Sequence, residues 1–228
     1  HELQTEIDTT ITEVNSMIAV VLVNTTSTTI KTYETHGNAV WGVREAVDTD
    51  IAVLRESECK QTVLDHNEVS VKGSGYRSAL CITSFNAKVK LEVDAMSAKV
   101  NEMNVHFGNI ALNVYRAYIG VNHMIDGQII EVNINSTYVE VTNHWLDVKP
   151  DVNALRTTLT NNINALRTTL ATCFANASGY MDANAVLMRE QIDYCAQYEG
   201  TRSNLDAYEK IKSGYAEVET RFPEFVWE

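Results

Sequence analysis

The sequence predicts an all-α fold: an elongated antiparallel helical hairpin or bundle of coiled-coil-like long helices, stapled by two disulfides. Three observations carry it. From Val93 to Met124, every step of three or four lands on an apolar residue: Val93, Met96, Val100, Met103, Phe107, Ile110, Val114, Ala117, Val121, Met124. That is an a/d pattern of about four and a half heptads. Prolines number two, Pro150 and Pro223, so residues 1–149 hold none of the strongest helix breaker. The third observation is the placement of the four cysteines about Gly127.

Each segment follows from its spacing. Leu3, Ile7, Ile11, Val14, Ile18 and Val21 predict a first helix over 1–35, with Asn24–Thr29 a weak helix former. His36-Gly37-Asn38 is read as its break. Val40, Val43, Val47, Ile51 and Leu54 then open an outgoing arm over 38–125, with Gly73-Ser74-Gly75 as its expected interruption or kink. Asp126-Gly127 reads as the turn. A return arm over 128–200 starts with the β-branched run Ile129, Ile130, Val132, Ile134, read as helix because no partner strand is evident. Pro150 is expected to kink this arm or open a new helical segment.

Within the return arm, Asn153-Ala154-Leu155-Arg156-Thr157-Thr158-Leu159 recurs as Asn164-Ala165-Leu166-Arg167-Thr168-Thr169-Leu170, a period of 11. Eleven residues over three turns give about 3.67 per turn, nearly straight or slightly right-handed. Heptads facing hendecads do not make a uniform two-stranded supercoil, so a bundle with a third helix is expected. Gly200 ends the arm. Residues 201–228 form a last helix and tail: the helix, 201–222, carries Leu205, Tyr208, Ile211 and Tyr215 on one side, Pro223 stops it, and Phe225 to Trp227 is an apolar tail. The chain is read as a single domain, 1–228.

The residue numbers of Cys59 and Cys195 total 254, as do those of Cys81 and Cys173, and 254 is twice 127. Facing residues of an antiparallel hairpin keep a constant total, so these pairs form two rungs across one hairpin. The main rival joins Cys59 to Cys81 and Cys173 to Cys195 as local loops, and a third connectivity or free thiols stay open.

The net charge of −12 offers phosphates no basic stripe, which argues against nucleic acid and anionic membranes. The longest apolar run, Met17–Val23, is too short to cross a bilayer, so no membrane insertion is expected. The chain begins at His1 without an initiator Met, read as a removed signal peptide or a trimmed chain. Sequons at Asn24, Asn135 and Asn176, with four cysteines, point to a secreted, extracellular glycoprotein.

No glycine-rich phosphate loop, nucleophile elbow or zinc signature is present, so neither an enzyme nor a cofactor is expected. Of the histidines, His106 and His144 total 250 and fall about one turn apart in the hairpin register; packing or solvation is the first expectation, a metal or haem site the second. Met96, Met103 and Met124, with Met181 and Met188 opposite, suit core filling or an adaptable apolar cavity. The expected role is a structural, self-assembling extracellular protein whose partners are further copies or other secreted proteins. The alternative is an extracellular binder of a hydrophobic small molecule, or a recognition ectodomain.

Cys59 and Cys81, with 21 residues between them on a helical stretch, and the later pair Cys173 and Cys195 resemble insect secreted proteins of the tsetse EP type. The resemblance spans residues 59–198. It implies a signal-peptide-bearing, cysteine-bridged helical protein of gut or reproductive secretions, mostly without assigned activity. That family carries more cysteines, and the long Val/Thr-rich heptad arm is not its hallmark. No functional residue is carried over.

Overall fold

The computed structural model describes residues 2–119 and 127–198. They form three helices, α1 (Glu2–Ala52), α2 (Glu58–Tyr118) and α3 (Gly127–Tyr198), and among the described residues there is no strand. The run Ile129–Ile134 is helical, as its lack of a partner strand requires. Asp126, Val121, Met124, Gly200, the helix expected after it and the Phe225–Trp227 tail lie outside the described residues.

Three breaks move or vanish. α1 runs straight through His36-Gly37-Asn38 and ends at Ala52, so the expected division into 1–35 and 38–125 is corrected. A single glycine costs a helix about 1 kcal/mol against alanine, and here His36 is 6 % exposed and anchors that turn in the interior. The real break lies at Val53–Ser57, which holds neither Gly nor Pro. Leu54 tucks into the core, its N–H bonding the Ile51 carbonyl at 3.0 Å. Ser57 then caps α2: its hydroxyl accepts the Lys60 N–H at 3.2 Å. Gly73-Ser74-Gly75 lies inside an unbroken α2, and Pro150 inside an unbroken α3 rather than at the start of a new segment.

Threonine is tolerated along these helices through its hydroxyl. Thr10, Thr12, Thr26, Thr32, Thr35 and Thr49 each donate to the carbonyl four residues back, at 2.8–2.9 Å. The weak stretch Asn24–Thr29 is helical for the same reason, and Thr25 donates to the Val21 and Leu22 carbonyls.

Both disulfides join α2 to α3 in the nested pairing, Cys59–Cys195 and Cys81–Cys173, each with Cα atoms 5.8 Å apart. The described residues of the three helices fall in two compact units, one of 2–26, 86–119 and 127–167, the other of 27–85 and 168–198. In the first unit, Asn162 donates to Glu92 at 2.9 Å, which keeps the antiparallel total of 254. Here α1 runs parallel to α3 with a constant offset of 143: Glu6 pairs with Lys149, and Glu13 with Arg156 at 3.1 Å. Ile7, Val14, Met96, Val100, Met103, Val152, Leu159 and Ile163 are buried between them. The second unit holds both disulfides. Its core joins Val40, Val47, Ile51, Leu54 and Val63 to Met181, Ala185, Met188, Ile192 and Cys195.

Candidate functional surface

The second unit contains a ladder of buried polar groups. Ser70, Ser74 and Ser78 recur every four residues on α2, each at most 1 % exposed. The Ser74 hydroxyl donates to the Ala177 carbonyl at 3.0 Å and lies 3.4 Å from His36 Nε2, while His36 Nδ1 lies 2.6 Å from the Ser178 hydroxyl. Because Ser74 has spent its proton, the arrangement fits a neutral His36 that donates from Nε2 and accepts from Ser178 at Nδ1. Phe174 closes the site edge-on, 5.2 Å from the His36 ring.

Two turns further along the same face, His66 is 2 % exposed and its Nε2 lies 3.2 Å from Asn184 Oδ1. Asn184 in turn donates to the Tyr180 carbonyl at 2.9 Å. Gln191 turns its amide to the outer disulfide, with Nε2 3.4 Å from the Cys59 sulfur and 3.7 Å from that of Cys195. His66 Nδ1, Asn67 Oδ1, Ser70 Oγ and Gln191 Oε1 are buried without a hydrogen-bond partner. Burial holds both His36 and His66 below the ordinary imidazole value, the hydrogen bonds to Ser74 and Asn184 opposing it.

In the first unit, the register expectation for His106 and His144 is met. Their rings stack with centroids 3.5 Å apart at 31°. Phe107 stands edge-on to both at 5.8 Å, and to Trp145 at 6.2 Å. Burial first, and then the neighbouring His106, lower the His144 pKa against the pull of Glu102 and Asp147. The faces, not the ring nitrogens, meet, which is a packing geometry rather than a chelating one. Among the described residues no group of three His, Cys, Asp or Glu is placed to hold a metal ion.

The methionines do not face one another across one cavity. Met96 and Met103 lie in the core of the first unit and Met181 and Met188 in that of the second, all four at most 1 % exposed. Met124 lies outside the described residues. A groove of about 680 Å³ runs along α1 instead, lined by Thr5, Asp8, Thr12, Met17, Val20 and Arg156. Most residues along it carry a hydroxyl or a charge, while the surface they turn to the groove is mainly apolar. No helix among the described residues is long and apolar enough to cross a membrane. All three sequon asparagines, Asn24, Asn135 and Asn176, are exposed.

The most unusual surface lies in the first unit. With the offset of 143, Glu2 stands level with Trp145, so among the described residues no third helix lies beside 127–144 of α3. The facing part of α2 is 106–119. Yet this two-helix stretch is rich in exposed apolar groups: Leu112 and Tyr115 on α2 with Ile119 just past its end, and Ile129, Val132, Ile134, Tyr138 and Val139 on α3. Ile134 and Tyr138 continue the line that further along α3 meets α1 through Trp145, Lys149 and Arg156. Sequence reasoning takes Ile129, Val132 and Ile134 only as a helical run and passes over Leu112, Tyr115, Ile119, Tyr138 and Val139, although their spacing is visible in the chain.

No family model, no curated protein and no solved structure matches this chain.

Proposed function

We propose that this is a secreted, non-enzymatic structural glycoprotein that assembles with further copies of itself outside the cell. The observation that carries the reading is the run of exposed apolar side chains where α2 and α3 continue without α1. Isolated exposed apolar residues are ordinary, but a concentrated set on regular helices is a surface whose burial is favourable, at about 25 cal/mol per Å² removed from water. Two disulfides and three exposed sequon asparagines suit an oxidising, glycosylating route of synthesis. The resemblance to tsetse EP-type secreted proteins supports the same compartment.

Size-exclusion chromatography with light scattering tests it. The expected result is a mass that rises with concentration above that of the 25.5 kDa chain. A monomer at every concentration, with and without glycans, overturns the reading.

A further inference from the structure

The exposed residues of the two-helix stretch are not scattered. On α2 and at its C-terminal end they fall at Val105, Gly108, Leu112, Tyr115 and Ile119, alternating steps of three and four. On α3, Ile129, Val132, Ser136, Val139, Asn143 and Leu146 do the same, and every one of these eleven is exposed. Each set is a second a/d stripe, distinct from the inner one. At 100° per residue, Val105 lies 200° round the helix from buried Met103, and Val132 lies 200° from buried Ile130. Each helix therefore shows one stripe to its partner and a second, apolar except at Gly108, Ser136 and Asn143, to the side facing away.

The two outer stripes match each other. Set antiparallel, Val105 meets Leu146, Leu112 meets Val139 and Ile119 meets Val132, with Gly108 against Asn143 and Tyr115 against Ser136 between them. All five layers total 251. Within one copy, α2 and α3 face each other at 254 for Glu92 and Asn162, and at 250 for His106 and His144. A neighbouring copy at the same level and in the same direction thus brings α2 against α3 in register. The pairing puts a against d, as antiparallel coiled coils require, and seats the large Tyr115 against the small Ser136.

Charge favours the same pairing. The stretch 103–119 carries one charge, Arg116, and 127–146 carries two, Glu131 and Glu140, a net −1 against −12 for the whole chain. Arg116 and Glu140 both border the stripes at e positions, and they total 256, so they meet across the proposed contact. An α3–α3 contact instead brings Glu140 near Glu140.

We propose that the outer α2 stripe of one copy docks on the outer α3 stripe of a second copy, through Leu112 and Val139 at its centre. This inference rests on the self-assembly reading and gives it a partner and a register. Because the two stripes face away from each other, the contact is head-to-tail: each copy has one of each stripe, and the row stays open.

Single charges in each stripe test it, on the full chain. Asn135 adjoins Ser136 at the edge of the α3 stripe, so proteins are measured with glycans and after their removal. Leu112→Asp removes the α2 stripe and Val139→Asp the α3 stripe, and both positions are exposed, so helicity by circular dichroism stays at the wild-type level. Each variant alone is expected to lose all species above monomer. Their equimolar mixture is expected to recover a dimer and nothing larger, since one intact stripe of each kind remains. Tyr138→Lys, on the α1-facing line, assembles as wild type does. A two-fold symmetric contact predicts no recovery on mixing, and that result overturns the proposal, as does wild-type assembly by either single variant. If wild type itself never assembles, the functional reading falls first.

Discussion

Removing the disulfides one at a time and together measures their nesting. In the chain-entropy description, closing the 92-residue separation of Cys81 and Cys173 is worth about 4.6 kcal/mol at 25 °C. Closing the 136-residue separation of Cys59 and Cys195 alone is worth about 5.0 kcal/mol. When the inner bridge exists, the outer one closes only the difference, 136 less 92, or 44 residues, worth about 4.0 kcal/mol. Both bridges together then contribute about 8.6 kcal/mol, so losing the outer pair costs about 4.0 and losing the inner pair about 3.6. Losing both exceeds the sum of the single losses by about 1 kcal/mol.

That excess is the informative quantity. Cys→Ala at each pair also loses local packing, because Cys81 and Cys195 are 4 % and 7 % exposed. The rungs lie 22 residues apart, about 33 Å along a helix, so the local losses add and cancel in the cycle. Urea unfolding followed by circular dichroism, on wild type, the two pairwise variants and the quadruple variant, supplies the four free energies. A positive excess near 1 kcal/mol is expected. Additive losses refute the nested-loop reasoning, since loops that do not share chain act independently.

Acidification destabilises the fold. The pKa values of His36, His66 and His144 lie below 6.5 in the folded chain, so the unfolded chain takes up protons first as the pH falls. Their contribution is complete above about pH 6.5 and is lost progressively below it; a urea midpoint that rises between pH 7.5 and pH 5 contradicts this. Two glycines on α2 are expected to respond with opposite signs. A Cβ at Gly75 meets nothing within 4 Å, and Gly75→Ala gains about 1 kcal/mol of helix propensity. A Cβ at Gly73 meets Tyr180 Cε1 at 2.9 Å, and Tyr180 carries the Arg77 guanidinium 4.3 Å over its ring. Gly73→Ala therefore forfeits the gain or destabilises by up to about 2 kcal/mol, and a rise in melting temperature equal to that of Gly75→Ala refutes the packing account.

The helical class and the disulfide register were legible because both rest on regular spacing. Four cysteines and one glycine determine a hairpin total, and the structure keeps it at Glu92 and Asn162, where no cysteine marks it. The α1 boundary was not legible. His36-Gly37-Asn38 has the composition of a helix end, but a buried histidine bonded to Ser178 holds it in the helix. Val53–Ser57 has no breaker, and its turn depends on burying Leu54 and capping with Ser57. Those are tertiary and side-chain effects that periodicity does not encode. The outer stripes were readable at Val105, Leu112 and Ile119, but only the parallel offset of α1 shows that nothing described covers them.

The rungs also decide what a protease can release. A single cut between Cys81 and Cys173 leaves both new ends tied to one covalent molecule by two bridges. A cut before Cys59 frees everything upstream of it. Where a protease reaches the chain, the α2–α3 stretch with its apolar stripes can be nicked and still stay attached. α1 has no such tether, and it is the part of the three-helix packing that cleavage can remove.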